Sequence, residues 1–396
     1  MMTQEETLLY FDHCASTPPH PEVVRTLAEV MERHYANPSS MHRAGLDAGR
    51  LLTGARERMG AMFETKPEEW VFTSGGTESN GLAIKGAAYA AKHRGRHIIT
   101  SATEHSSVRE AFARLEEEGF QATYLPVDNC GRISIRHLEE AIRPDTILVS
   151  LMHVNNEVGT IQPIAEAGRL LAQHPGICFH VDGVQSMGKL PVKLREWGVD
   201  LFSGSAHKLR GPKGTGFLYV RSGTRLVPLL AGGGQESGIR GGTPNVPGIV
   251  ASVKALRIAL ESREMREVRM RAIRTRLMSR LQKLPELVVN GDADPQSGIQ
   301  AAHILHLSYP GMKPEVIVHA LEEHGMLVST KSACSSKDDR PSDVLLAMGY
   351  AVPRAAGGIR VSFGDEHDES AADRLADALE AVVRRLKPLE RSYTGQ

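Results

Sequence analysis

Between residues 70 and 220, short apolar, β-branched runs alternate with stretches of helical periodicity, and few architectures accommodate that alternation. The run 71–73 leads into a helical stretch over 80–93, and the run 97–100 leads into another over 106–118. Strand-like runs at 121–127 and 146–154 follow, then a helix through Leu171 and the run 177–181. Two further apolar runs, 199–202 and 216–220, close the series. Strand alternating with helix predicts an α/β domain around a mostly parallel central sheet, with ligands at the carboxyl ends of the strands. A long charged helical stretch, 252–284, then reads as a connector to a smaller α+β unit. That unit has strand-like runs at 303–309 and 358–363, a helix over 314–324 and a final amphipathic helix from Asp368.

At 396 residues the chain has room for two domains, or one large domain with an appendage. Lys plus Arg and Asp plus Glu both number 47, so no net field recruits nucleic acid or an anionic membrane. The longest apolar run, 147–154, contains a serine and a histidine and is far too short to span a bilayer. The segment Met1-Met-Thr-Gln-Glu-Glu6 lacks the basic start and apolar core of a secretory signal. Four cysteines, Cys14, Cys130, Cys178 and Cys334, lie far apart without CxxC or metal-ligand spacing. The expectation is a reducing, cytoplasmic protein without a structural metal.

Lys208 stands in Ser203-Gly-Ser-Ala-His-Lys-Leu-Arg-Gly-Pro-Lys-Gly-Thr-Gly216, a Gly/Ser-rich turn between two apolar runs, where it is placed for chemistry rather than packing. Upstream, Asp182 ends the run 177–181. An amine to hold an aldehyde and a carboxylate to keep a pyridine nitrogen protonated are the pair that carbanion chemistry on pyridoxal phosphate needs. The segment Thr73-Ser-Gly-Gly-Thr-Glu-Ser79 sits between a strand-like run and a helix, where backbone N–H groups bind an anion. Ser74 and Thr77 add hydroxyl donors. Alone, such a segment is as readily an ordinary turn, but Ser205, His207 and Lys208 form a second cluster suited to the same phosphate. The glycine-rich stretch 232–245 reads by itself as a flexible loop, or as a segment closing over the site from a second subunit.

His105, in Thr103-Glu-His105, and His153, ahead of Asn155-Asn156, each follow a strand-like run; a lone histidine among 17 is usually a surface or satisfied core residue. Arg360 lies within the apolar run 358–363. It reads either as a solvated edge residue or as a fork for a substrate carboxylate. Cys334, in Ser332-Ala-Cys-Ser-Ser336 ahead of a polar run, reads as a reactive thiol, with Lys331 nearby to favour the thiolate.

Several motifs follow one another along the chain: Tyr10-Phe-Asp-His-Cys-Ala-Ser-Thr17, Asn37-Pro-Ser-Ser-Met-His42, Phe72-Thr-Ser-Gly-Gly-Thr-Glu-Ser79, Thr103-Glu-His105 and His153-Val-Asn-Asn-Glu157. His180-Val-Asp182, the lysine segment, Gly232-Gly-Gly-Gln-Glu236, Ser332-Ala-Cys-Ser-Ser336 and Ile359-Arg-Val-Ser362 complete them. In this order the chain resembles the pyridoxal-phosphate-dependent cysteine desulfurases, the NifS/IscS-like group of the class V aminotransferases. The resemblance implies a fold-type I transferase, with a large cofactor domain over 17–262. A small domain from 1–16 and 263–396 would carry the Cys334 loop.

The same resemblance implies roles. Lys208 would hold the cofactor aldehyde and abstract the substrate Cα proton, and Asp182 would pair with the pyridinium nitrogen. His105 would stack on the ring and move protons, and Gln185 would bond the phenolic oxygen. Gly76, Thr77, Ser205 and His207 would hold the phosphate, with Thr243 reaching in from the other subunit of a homodimer. Asn156, also near the cofactor, and Arg360 would fix the carboxylate of L-cysteine. Cys334 would take the sulfur as a persulfide and leave alanine. Lys331 departs from the group's usual glycine, and Ser16 replaces the first threonine of the usual pair. Since the sequence ends at Gln396, soon after its last helix, the expectation is that it lacks the tail by which housekeeping desulfurases hold a scaffold partner. The acceptor stays open among an iron–sulfur scaffold, a tRNA-thiolation protein and a DNA-sulfur-modification partner. A selenocysteine lyase, a class V aminotransferase and a non-catalytic sulfur-relay protein are the rival readings. The loop thiol argues against the aminotransferase, which has no use for it.

Overall fold

The computed structural model describes residues 8–294, 297–330 and 340–389. Its strands, in chain order, are β1 (Leu9–Tyr10), β2 (Trp70–Thr73), β3 (His97–Ser101), β4 (Gln121–Leu125), β5 (Thr146–Met152) and β6 (Cys178–Asp182). They continue with β7 (Leu201–Ser205), β8 (Gly216–Val220), β9 (Val288–Asn290), β10 (Ile304–Ser308), β11 (Met326–Leu327) and β12 (Gly358–Ser362). Seven form the central sheet in the order β2-β8-β7-β6-β5-β3-β4. The ladders from β7 through β6, β5 and β3 to β4 are parallel, while β8 runs antiparallel to both its neighbours. The α/β expectation holds.

Period-two alternation sends successive side chains to opposite faces. Ile99, Val149, Leu151, Phe179 and Phe202 pack against helices Arg43–Phe63, Ile164–Leu171 and Val246–Glu261 in one core. Ile98, Leu148, Leu201 and Leu218 pack against Gly76–Ala91 and Ser106–Glu117 in another. A sheet buried on both faces explains why the runs at 146–152 and 216–220 are almost wholly apolar.

A third core joins Phe11 to residues between Met270 and Leu386. There β10 pairs antiparallel with β9 and β12, and helix Glu369–Leu386 packs on helix Arg263–Leu281. The N-terminal segment stitches into this unit: β1 runs parallel to β11, and Ser362 N donates to Phe11 O at 2.7 Å.

Two features differ from the sequence reading. The stretch 252–284 is not one helix. It breaks between Val246–Glu261 and Arg263–Leu281 at Ser262 (φ −100°, ψ 1°), whose hydroxyl bonds back to Ile258 O at 2.8 Å. Such a side-chain bond competes with the helical ladder and lets the axis turn. Helices Pro21–Arg33 and Arg43–Phe63 fill the region before β2, to which the sequence reading gave no elements. Among the described residues, no helix is long and apolar enough to cross a membrane.

Candidate active site

At the carboxyl ends of β5, β6 and β7 lies a cavity of about 160 Å³. Its lining brings together ten of the twelve residues expected from the sequence: Gly76, Thr77, His105, Asn156, Asp182, Gln185, Ser205, His207, Lys208 and Arg360. Thr243 is exposed and does not line the cavity of its own chain. Cys334 and Lys331 lie outside the described residues.

Lys208 ends a short turn directly after β7. Its ammonium donates to the Cys14 carbonyl and, at 2.8 Å, to that of Ala15. Burial pulls it down to about 8, assisted by Arg360 and Lys189 and opposed by Cys14. An amine so placed gives up its proton near neutral pH, as an aldehyde-capturing lysine must. Gln185 Nε2 donates to the Cys14 carbonyl too, at 3.1 Å, while its oxygen accepts from Lys189 Nζ at 3.3 Å.

Asp182 closes β6 and is buried. One carboxylate oxygen accepts from Val184 N at 3.0 Å and the other from Asn80 Nδ2 at 2.8 Å. His105 caps helix Ser106–Glu117: its Nδ1 accepts from Ser107 N at 3.1 Å and lies 2.8 Å from Ser107 Oγ. Burial lowers its pKa, and Lys208 assists, whereas Asp182 acts in the opposite direction. Burial likewise holds His207 at about 4, so at neutral pH it offers an N–H rather than a charge.

Opposite the lysine, Gly76 and Thr77 open the sixteen-residue helix Gly76–Ala91, whose free N–H groups favour an anion. A Cβ on Gly76 would sit 2.7 Å from Val184 Cγ2 and 3.5 Å from Ser205 Cβ, so glycine lets the helix start approach the floor of the cavity. The glycine-rich stretch is pinned here: Glu236 accepts from Phe72 N at 2.9 Å, and Arg240 pairs with Glu78 at 2.8 Å.

Arg360 is not a solvated edge residue. Only 1% of it is exposed, because β12 lies under the N-terminal segment. Its guanidinium donates to Asp12 Oδ1 at 2.7 Å and to Asn156 O at 3.0 Å, and its Nε has no partner among the described residues. His153 is a core residue: it packs edge-on against Trp197 and stays outside the cavity. Asn155 caps its own turn through Glu157 N and Val158 N, both at 2.9 Å.

The sequence reading missed Asn80 and Ser107, which line the cavity, and Glu104, which burial pushes up to about 8. Asn80 and Ser107 sit inside helical runs, where a polar residue signals nothing until the neighbouring helix and strand are placed. For Glu104, the adjacent His105 was the visible signal.

The donors fit pyridoxal phosphate: an amine of lowered pKa, a buried carboxylate across from it, and a helix start backed by Ser205. Buried polar atoms left without partners in the lining, Asn80 Oδ1 and Arg360 Nε, fit a cavity built for a polar guest.

The class-V aminotransferase model matches residues 9–375. The cysteine desulfurase IscS of Dictyoglomus turgidum is 40% identical over 382 residues, covering 96% of either chain. A solved NifS-like protein superposes with a TM-score of 0.89 at 35% identity, covering 96% of this chain and 100% of its own. A solved structure described as SspA in complex with cysteine gives a TM-score of 0.78 at 35% identity, covering 89% of this chain and 98% of the other. With its cavity at the strand ends and its relatives matched from end to end, the chain belongs to the class V aminotransferase family, in its pyridoxal-phosphate-dependent cysteine desulfurase group.

Proposed function

We infer that this protein is a cysteine desulfurase, converting L-cysteine to L-alanine and retaining the sulfur for transfer. The observation that carries the reading is the convergence of Lys208, Asp182, His105 and Arg360 on one cavity. Cysteine bound to the related SspA supports the substrate. When bound, pyridoxal phosphate supplies an electron sink for the charge that develops at the substrate Cα. Everything else falls to the chain. Gly76, Thr77, Ser205 and His207 hold the phosphate, with Thr243 of a second copy completing the cradle in a homodimer. Asp182 keeps a proton on the pyridine nitrogen, and Gln185 binds the phenolic oxygen. Arg360 and Asn156 orient the substrate carboxylate.

Lys208 Nζ, poised near neutrality, takes the Cα proton, and His105 moves protons beside the ring. The Cys334 thiolate then forms an S–S bond to the substrate sulfur as the carbon–sulfur bond breaks. The electron pair of the broken bond stays with Cβ, which takes up a proton to become the methyl group, and Lys208 gives a proton back to Cα to complete alanine. Cys334 enters this proposal on its Ser-Ala-Cys-Ser-Ser sequence alone. Residues 17–262 act as the large domain, and 1–16 with 263–396 as the small one. Separate hydrophobic cores support that division.

The test is turnover of L-cysteine by protein loaded with pyridoxal phosphate, following alanine and sulfide together. The expected result is equal yields, a persulfide trapped on Cys334, and at least a hundredfold loss of sulfide in Cys334→Ser with cofactor absorbance retained. Undiminished sulfide from that variant would refute the persulfide step. Retained cofactor without alanine from the native chain would refute the activity.

A further inference from the structure

Asn80 stands between two groups of the proposed machinery. It lies in helix Gly76–Ala91, 1% exposed, with its amide nitrogen 2.8 Å from Asp182 Oδ2 and 2.9 Å from Ser107 Oγ. A carboxylate only accepts, so the NH₂ end of the amide must face Asp182, and both its N–H bonds are committed as donors. Ser107 Oγ, receiving one of them, lies 2.8 Å from His105 Nδ1. Ser107 N reaches the same nitrogen at 3.1 Å. Nδ1 is therefore an acceptor, and the ring proton sits on Nε2. The Asn80 amide oxygen is buried without a partner, a cost that an apolar residue of the same shape would not carry. Packing alone thus gives no reason for an asparagine here; the two donated bonds do.

We propose that Asn80 is a positioning residue that fixes the Asp182 carboxylate and reinforces the His105 tautomer set by the Ser107 N–H. It does so through one directed chain of hydrogen bonds running from Asn80 to Asp182 on one side and through Ser107 to His105 on the other. With Asn80 donating, the Ser107 hydroxyl is polarised as a donor toward Nδ1 and becomes a poorer acceptor, so the imidazolium form, which must also face the Ser107 N–H, is disfavoured. The consequence for catalysis rests on the cysteine desulfurase reading; the geometry does not.

The experiment is ¹⁵N NMR of histidine-labelled, cofactor-free protein, with the His105 signals identified by their loss in His105→Gln. The charged groups acting on His105, namely Asp182, Lys208, Arg109 and Arg360, stay in place in every other variant. In the native chain Nδ1 should show the unprotonated shift and Nε2 the protonated one. Asn80→Ala should raise the His105 titration midpoint by about one pH unit, since Ser107 Oγ is then a weaker donor to Nδ1 and a better acceptor from Nδ1–H. In a Ser107→Ala background the same change should move the midpoint by less than about a third of a unit, because the chain is already cut. Should Asn80→Ala not fold, Asn80→Leu removes the donors at similar shape.

An unshifted midpoint, or an equal shift with and without Ser107, overturns the proposal. In loaded enzyme kcat should fall about tenfold or more with KM within about twofold; unchanged kcat overturns the catalytic consequence. If the native protein makes no alanine from cysteine, the functional reading falls, while the cofactor-free spectra still decide the role of Asn80.

Discussion

Lys208 shows how burial sets chemistry at the scale of one residue. Its ammonium is pulled to about 8, principally by desolvation, with neighbouring cations in support. The sign is fixed: burial penalises the charged form, so the neutral, nucleophilic fraction becomes substantial near pH 8 instead of above pH 10. The rate at which cofactor-free protein captures pyridoxal phosphate should therefore climb with pH through a midpoint near 8, read by stopped-flow absorbance between pH 6.5 and 9.5. A midpoint near 10.5 would mean that the amine is solvated. Lys208 and Asp182 stand out in the sequence because each sits in a setting whose composition is wrong for packing, and the structure places both in the cavity lining; Cys334 lies outside the described residues. The sequence could not decide Arg360, since an arginine in an apolar strand has two readings until its neighbours are known. Its burial against Asp12, 348 residues away, rules out the solvated edge.

Among elements, β8 is the informative case. It runs against its neighbours, and its first residue, Gly216, lies opposite both Thr73 and Ser205. A Cβ there would stand 2.6 Å from Gly75 Cα and 2.6 Å from Thr73 Oγ1. Backbone cannot give way as a flexible side chain can, so the turn leading into helix Gly76–Ala91 would have to move. Gly216→Ala should weaken binding of pyridoxal phosphate about tenfold or more while circular dichroism stays native; unchanged affinity by equilibrium dialysis would show that the turn has slack. Strand positions were readable because full burial demands apolar runs. The strand order and the reversal of β8 were not readable, since an antiparallel strand buried on both faces has the same composition as a parallel one. The break at Ser262 escaped for a similar reason: serine is neutral in a helical pattern until its hydroxyl finds the carbonyl behind it.

At the scale of the whole molecule, the site depends on distant parts of the chain meeting. Residues 12–16 run between the two units, giving a carboxylate to Arg360 and carbonyls to Lys208 and Gln185. Burial also holds several core histidines neutral: His97 and His153 at about 4, His180 and His306 at about 3. The unfolded chain protonates them near pH 6.5 and the native chain only well below that. As pH falls from about 6.5 the unfolded state binds more protons, so stability is full above that pH and drains as pH approaches the folded values. Glu104, raised to about 8, and Asp200, also raised by burial, act in the opposite sense, but the lowered histidines outnumber them. The melting temperature measured by calorimetry should therefore drop steadily from pH 7 to pH 4.5. A flat profile would show these rings to be hydrated.

The sequence by itself determined the α/β architecture and singled out ten of the residues that line the cavity, because apolar periodicity and short motifs are local properties. Tertiary structure decided what those groups touch. Asp182 acquired Asn80, His105 acquired Ser107, and Arg360 acquired Asp12 and the Asn156 carbonyl. Hydrogen bonds reach about 3 Å in space whatever the separation along the chain, and only the folded packing brings residues 12, 80, 182 and 360 within that reach.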